Sequence, residues 1–330
     1  MPTLLLRLTV ALLAFMLGVG SAKLAPFPGS YRIQRTGASD VLGSYESEQG
    51  SGSTSEKRAS KLETDLIADT AASLHQITID ADYEVPPEAR PLLTRFKHGI
   101  RDTIVQMLDA SSDQHLDPDV LRNRVWDKLT AQGIIVEVGR TNAFTQTYSE
   151  GNYDYGDVYN VEIQRPVGHP DLLAVTTTLE IHCGRDSSLY IFQRSAGYWK
   201  LILAQESNDY AQVDGAQGWF TYGISRDNAK DFYVVTVNVN PWCTSNWQSI
   251  RYSALRVGPD PYEPRVLASG EQTIYLGVDP PPYQLVVQPK SFSISFEGIA
   301  SEADIMNGIN SRNRVIKYVI TNGRATRVSS

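Results

Sequence analysis

Cysteine is scarce: the chain of 330 residues holds two, Cys183 and Cys243. A multi-cysteine zinc or iron–sulfur site cannot be built within one chain from that supply. Positive charge is also in deficit. Lys and Arg total 30 against 37 Asp and Glu, a net charge of -7. That balance does not suit a protein that coats nucleic acid or carries a polybasic membrane patch. Five histidines, His75, His98, His115, His169 and His182, form no close H-x-H or H-E-x-x-H pair, so the usual local metal signatures are absent. There is no G-x-S-x-G elbow, no G-x-x-x-x-G-K-[ST] loop and no G-x-G-x-x-G turn. Nucleophile and nucleotide-phosphate chemistry therefore have no local support, and no cofactor or metal is expected. Asn-x-Ser/Thr acceptors are missing too, which fits a host that does not glycosylate such sites.

Long apolar runs are limited to one. Arg7 precedes Leu8–Leu17, and Gly20 and Ala22 flank Ser21. That is the layout of a secretory signal peptide over residues 1–22, with cleavage expected after Ala22. The run is short for a membrane span, which takes about 20 apolar residues. The expected destination is secreted, periplasmic or cell-surface, with no transmembrane segment left after cleavage. Residues 44–60 carry few apolar side chains and cannot bury enough surface to offset chain entropy. Residues 23–60 are read as a flexible polar spacer.

Export makes Cys183 and Cys243 a candidate disulfide. Closing the 60-residue interval between them would stabilise the fold by about 4 kcal/mol in the chain-entropy account. Alternation from Val175 through Leu179 and Ile181 points Cys183 towards the core.

Leu92, Leu93, Phe96, Ile100, Ile104, Met107 and Leu108 recur at spacings of three and four, which predicts a helix with Lys97, Arg101, Asp102 and Asp109 off its apolar stripe. Asp117-Pro118 predicts the start of a second helix, and Gly133 its stop. From residue 134 the pattern is that of strands. They are expected at 134–138, 157–164, 172–183, 187–194, 198–204, 217–225, 231–240, 249–257, 265–276, 283–288, 291–297 and 314–321, with Asn322-Gly323 as a hairpin turn into Arg324–Val328. Gly184-Arg185-Asp186 and Ser195-Ala196-Gly197 are read as short connections. Short links require antiparallel pairing. The expected fold is α+β and mostly antiparallel β. A helical hairpin plus curved sheet domain is placed at 61–205, and an all-β domain, sandwich-like or barrel-like, at 206–330. An irregular β-propeller is the alternative, although no blade repeats at a fixed period.

Two polar-aromatic segments are the candidate binding surfaces. Thr141–Tyr159 contains Tyr148, Tyr153, Tyr155 and Tyr159, and 240–247 contains Trp242, Asn246 and Trp247. Aromatic faces beside amide and carboxylate groups suit a glycan or a protein surface. Asp154 and Asp157 can also be imagined as a carboxylate pair with Glu162 or Glu180. Glu180 and His182 share a strand face, where an ordinary cross-strand pair is the expectation rather than a metal. The expected function is a non-catalytic exported protein that binds an extracytoplasmic protein or glycan. The alternatives are a secreted hydrolase using dispersed carboxylates and a structural envelope component. No catalytic residue is assigned, and nucleic acid is not an expected partner.

Overall fold

The computed structural model describes residues 66–77, 85–110, 116–135, 155, 157–181, 184–207, 210, 218–226, 232–239, 247–275, 283–299, 306, 308 and 311–328. The segments expected to be a leader (1–22) and a spacer (23–60), and both cysteines, lie outside these residues. All described residues belong to one unit, 52–330. Among them no helix is long and apolar enough to cross a membrane.

Helix α1 covers 66–74, α2 Ala89–Asp109 and α3 Pro118–Ala131. α3 starts as its sequence demands: the Asp117 carboxylate accepts from the Asp119 N–H at 2.9 Å, with Pro118 in the first turn. This cap satisfies one of the free N–H groups that every helix start leaves. Gly133, at φ 71°, follows its end. Leu121, Val125 and Leu129 are buried along one side. In α2 the buried face runs through Leu93, Phe96, Ile100, Ile104 and Leu108, and it also takes in Lys97. Burial of Lys97 corrects the expectation that this residue lies off the packed stripe.

Two antiparallel sheets follow. The first has the order β1-β2-β3-β4, from Val158–Gln164, Leu172–Ile181, Gly184–Ser195 and Tyr198–Gln205. Its connection at Ala196 (φ 50°) and Gly197 (φ 90°) is a left-handed turn, the geometry that joins twisted strands tightly. Gly184-Arg185-Asp186 is not a connection. It begins β3, with Glu180 opposite Arg185 and Leu179 opposite Asp186. Ile134 and Ile135, expected to start a strand, form a bend whose side chains are buried with the helices.

The second sheet contains β5 Trp219–Ile224, β6 Val234–Val239, β7 Trp247–Arg256, β8 Arg265–Tyr275, β9 Tyr283–Gln288, β10 Ser291–Ile299, β11 Ser311–Thr321 and β12 Arg324–Val328. Its order is β12-β11-β10-β8-β7-β6-β5, with β9 paired to β10. The sheet does not close into a barrel, which removes the barrel-like expectation. The two sheets among the described residues are also too few for a ring of blades, which begins at about four. Asn322 (φ 50°) and Gly323 (φ 71°) form the predicted hairpin turn.

Alternation sorts the side chains into layers. Leu173, Val175, Tyr190 and Phe192 face the helices in one core. Their neighbours Leu172, Ala174, Leu189 and Ile191 face the other way, against Val234 and Leu255 of the second sheet and Phe232 just ahead of β6. Ile202 and Leu203 both join that second side. A register shift opposite Ile191 and Phe192 makes Ile202 the extra residue of a bulge, which lets two successive side chains share a face. The four-stranded sheet is therefore a middle layer. A third core lies inside the eight-stranded sheet, where Tyr233, Val235, Val237 and Val239 meet Phe292, Ile294, Phe296, Ile316 and Tyr318. Hydroxyls cross that core: Tyr233 donates to the Ser291 carbonyl at 2.8 Å, and Tyr283 to the Val237 carbonyl at 3.0 Å.

Candidate functional site

The helix–sheet interface carries the densest set of charged groups. Helix periodicity places Lys97 and Arg101 one turn apart on α2, facing β3 and β4. The Lys97 ammonium lies 2.6 Å from Asp186 Oδ2, and both side chains are essentially sealed from solvent, at 1% and 0% exposure. The same ammonium donates to the Ser207 carbonyl at 2.7 Å and sits 5.0 Å from the centre of the Tyr210 ring. Tyr210 in turn donates its hydroxyl to Asp186 at 2.5 Å. Burial first, then the Asp186 carboxylate, pushes the Tyr210 phenol well above its ordinary range. The lysine thus has a counterion, a carbonyl acceptor and an aromatic face, which is what a buried cation requires.

One turn further on, Arg101 Nη1 reaches Glu206 at 3.3 Å and its Nε donates to Asp102 at 2.9 Å. His98 meets the other Glu206 oxygen at 3.2 Å. Tyr262, from the turn between β7 and β8, lies against the Arg101 guanidinium at 5.4 Å. That turn is anchored by the Ala204 N–H donating to the Pro261 carbonyl at 2.8 Å. Tyr190 is buried beneath this group, and its phenol is pushed well up by burial and then by the Glu206 carboxylate. Every charge here is spent on another, so the group is built to hold α2 on the sheet.

A second, more open group gathers at the far end of β2. Asp157 Oδ1 lies 2.9 Å from His75 Nε2, and the Glu180 N–H donates to the Asp157 carbonyl at 2.8 Å. Glu180 is met by Arg185 Nε across the strand pair at 3.4 Å, the ordinary cross-strand partner expected of it. Burial raises the Glu180 carboxyl; Arg185 opposes that shift and the Asp157 charge adds to it. Two of the carboxylates singled out in the sequence are therefore neighbours. Glu162 is not with them: it lies on β1 opposite Thr176, and its charge is felt by Tyr222.

Of the aromatic candidates, Tyr155 is buried with the helices at 1% exposure, and burial followed by the Glu88 charge pushes its phenol up to about 12. It offers no open ring for stacking. Tyr159 is on β1 and Trp247 opens β7. Tyr148, Tyr153, Asp154, Trp242, Asn246, Cys183 and Cys243 lie outside the described residues, as does His182. Lys97, Asp186, Glu206 and Tyr210 were not picked out by the sequence reading. The signal for them is long-range: Lys97 and Ser207 are 110 residues apart. Comparison with family models, curated proteins and solved structures finds no match to this chain.

Proposed function

We infer that this chain is an exported, non-catalytic binding protein whose ligand is an extracytoplasmic protein or glycan. The observation that carries the reading is the fate of the buried charges. Lys97, Asp186, Arg101 and Glu206 neutralise one another inside the helix–sheet interface, where they lock a scaffold and leave little for chemistry. The leader over residues 1–22 and the polar spacer supply the export half of the proposal. The same proposal takes 61–205 and 206–330 as its two domains, the latter a sandwich whose halves are β5–β8 and β9–β12. The test is a glycan array and a pull-down from extracytoplasmic extract, run beside a hydrolase panel. A saturable partner without turnover is expected. Turnover with no stable binding would sink the idea.

One observation favours a hydrolase as the second reading. Asp157 and Glu180 are adjacent, and the Glu180 carboxyl is held above its ordinary range, as the proton donor of a carboxylate pair must be. If a glycosidase activity is found, Glu180→Gln and Asp157→Asn should each abolish at least 99% of it, since removing an essential acid or base typically costs about a hundredfold or more. Activity left intact in both variants would eliminate this pair.

A further inference from the structure

Lys97 and Asp186 are sealed from solvent, at 1% and 0% exposure, with 2.6 Å between Nζ and Oδ2. The carboxyl carbon is one C–O bond beyond that contact. Nζ therefore stands roughly 3–3.5 Å from Cγ, the near-attack range for bond formation. Phe96 and Ile100 beside Lys97 on α2, and Tyr190 on the same face of β3 as Asp186, are fully buried. Two opposite charges are thus held in contact in a setting with little water. Desolvation makes each of them costly there, so a reaction that removes both is favoured.

Tyr210 adds a third part. Its hydroxyl donates to the same carboxylate oxygen, Oδ2, at 2.5 Å. Burial and the carboxylate charge keep that phenol protonated. Two donors therefore converge on one oxygen, which marks Oδ2 as the atom that can leave. The Ser207 carbonyl, accepting from Nζ at 2.7 Å, holds the nitrogen in place. The neighbouring Arg101–Glu206 contact cannot react in the same way, because a guanidinium does not give up its proton.

We propose that Lys97 and Asp186 condense to an intramolecular amide, a covalent strap from α2 to β3. One proton passes from Nζ to Oδ2 along their contact, giving a neutral amine and a carboxylic acid. Nζ then attacks Cγ. A second proton moves from the nitrogen to Oδ2, the Cγ–Oδ2 bond breaks and water leaves. Oδ1 stays as the amide oxygen, and nothing is oxidised or reduced. Tyr210 donates to Oδ2 throughout and keeps its own proton. The product is one N–C bond in place of two buried charges. Such a strap closes the chain from 97 to 186 and removes conformations from the unfolded state, as a disulfide does, without using a cysteine. It stands apart from the binding-protein reading, since it needs no ligand.

The test is the mass of the full chain, reduced and denatured, and then of its tryptic peptides. The mass should lie one water below that of the sequence counted from its observed N-terminus, in nearly all molecules. Trypsin should leave Lys97 uncut and yield one branched species, Phe96–Arg101 joined to Asp186–Arg194. Lys97→Arg keeps the cation but cannot condense, so it should show the full mass and no branched species. In chain freshly made by translation in vitro, Tyr210→Phe should form the strap roughly a hundredfold more slowly than the parent. A parent chain at full mass, with separate Lys97 and Asp186 peptides, overturns the proposal whatever the variants do. So does a loss of water that maps elsewhere or that persists in Lys97→Arg. Formation at the parent's rate in Tyr210→Phe overturns the part assigned to the phenol.

Discussion

The four-stranded sheet is covered on both faces, by helices on one side and by Phe232, Val234 and Leu255 on the other. The eight-stranded sheet folds one face onto itself and leaves β8, β9 and β12 alternately exposed. Strand β2 shows the first condition directly, since eight of its ten residues are buried. Strand β12 shows the second, with no buried residue. Where both faces are apolar, polar specificity has to come from within, and the Lys97–Asp186 pair supplies it. Where one face is open, tyrosine hydroxyls reach across the core to backbone carbonyls instead.

The largest test of this contrast is the buried pair. Asp186→Ala leaves the Lys97 ammonium without its counterion and should cost about 3–5 kcal/mol in urea unfolding. Replacing both, Lys97→Met with Asp186→Leu, should cost less than either single change. A double variant as weak as the sum of the singles would show that the two groups do not act as a pair. Next comes the layer shared by the two sheets. Leu203→Ala opens a cavity between them and should cost about 2–5 kcal/mol. One cooperative transition is expected for this variant, whereas two separate transitions would show that the sheets melt independently. In the eight-stranded sheet, a Cβ on Gly270 would stand 2.3 Å from the Tyr252 hydroxyl. Gly270→Ala should displace that phenol from Tyr318, which it meets at 3.3 Å, at a cost of about 1–3 kcal/mol.

Smaller effects come from the open group on β2. The Glu180 carboxyl is raised in the folded state, so the native protein holds this proton to higher pH than the unfolded chain does. Its contribution to stability therefore declines as the pH rises from the ordinary carboxyl range through the raised value. Glu180→Gln removes that decline and forfeits the Arg185 contact. The urea midpoint of the parent relative to the variant should fall as the pH rises above the ordinary carboxyl range; a difference that does not change with pH would refute the raised carboxyl. Asp157→Asn weakens a half-exposed contact with His75 and should change stability by about 1 kcal/mol or less.

Strand positions were legible in the sequence because each carries its own local pattern. Phe292, Ile294 and Phe296 alternate with serines and are buried as that alternation requires. Asn322-Gly323 names its turn by chemistry, since both residues tolerate a positive φ. Helix 66–74 was missed although Ile67, Ala71 and Leu74 keep helical spacing and are buried; the stripe is short and lies among polar residues. Lys97 and Asp186 were misplaced for a different reason. Local pattern assigns a charge to solvent, and only the partner across the interface reverses that assignment. Asp157 and Glu180 were both named from sequence, but their proximity depends on how β1 meets β2. The bulge at Ile202 left no local mark.

A sheet greasy on both sides has no neighbour it can spare. Peeling the helices away would wet Val175 and Tyr190, and removing the other sheet would wet Leu189 and Ile191. A protease that nicks a connecting loop should therefore yield fragments that stay together under native conditions and part only in denaturant, because the interior strands act as a double-sided adhesive.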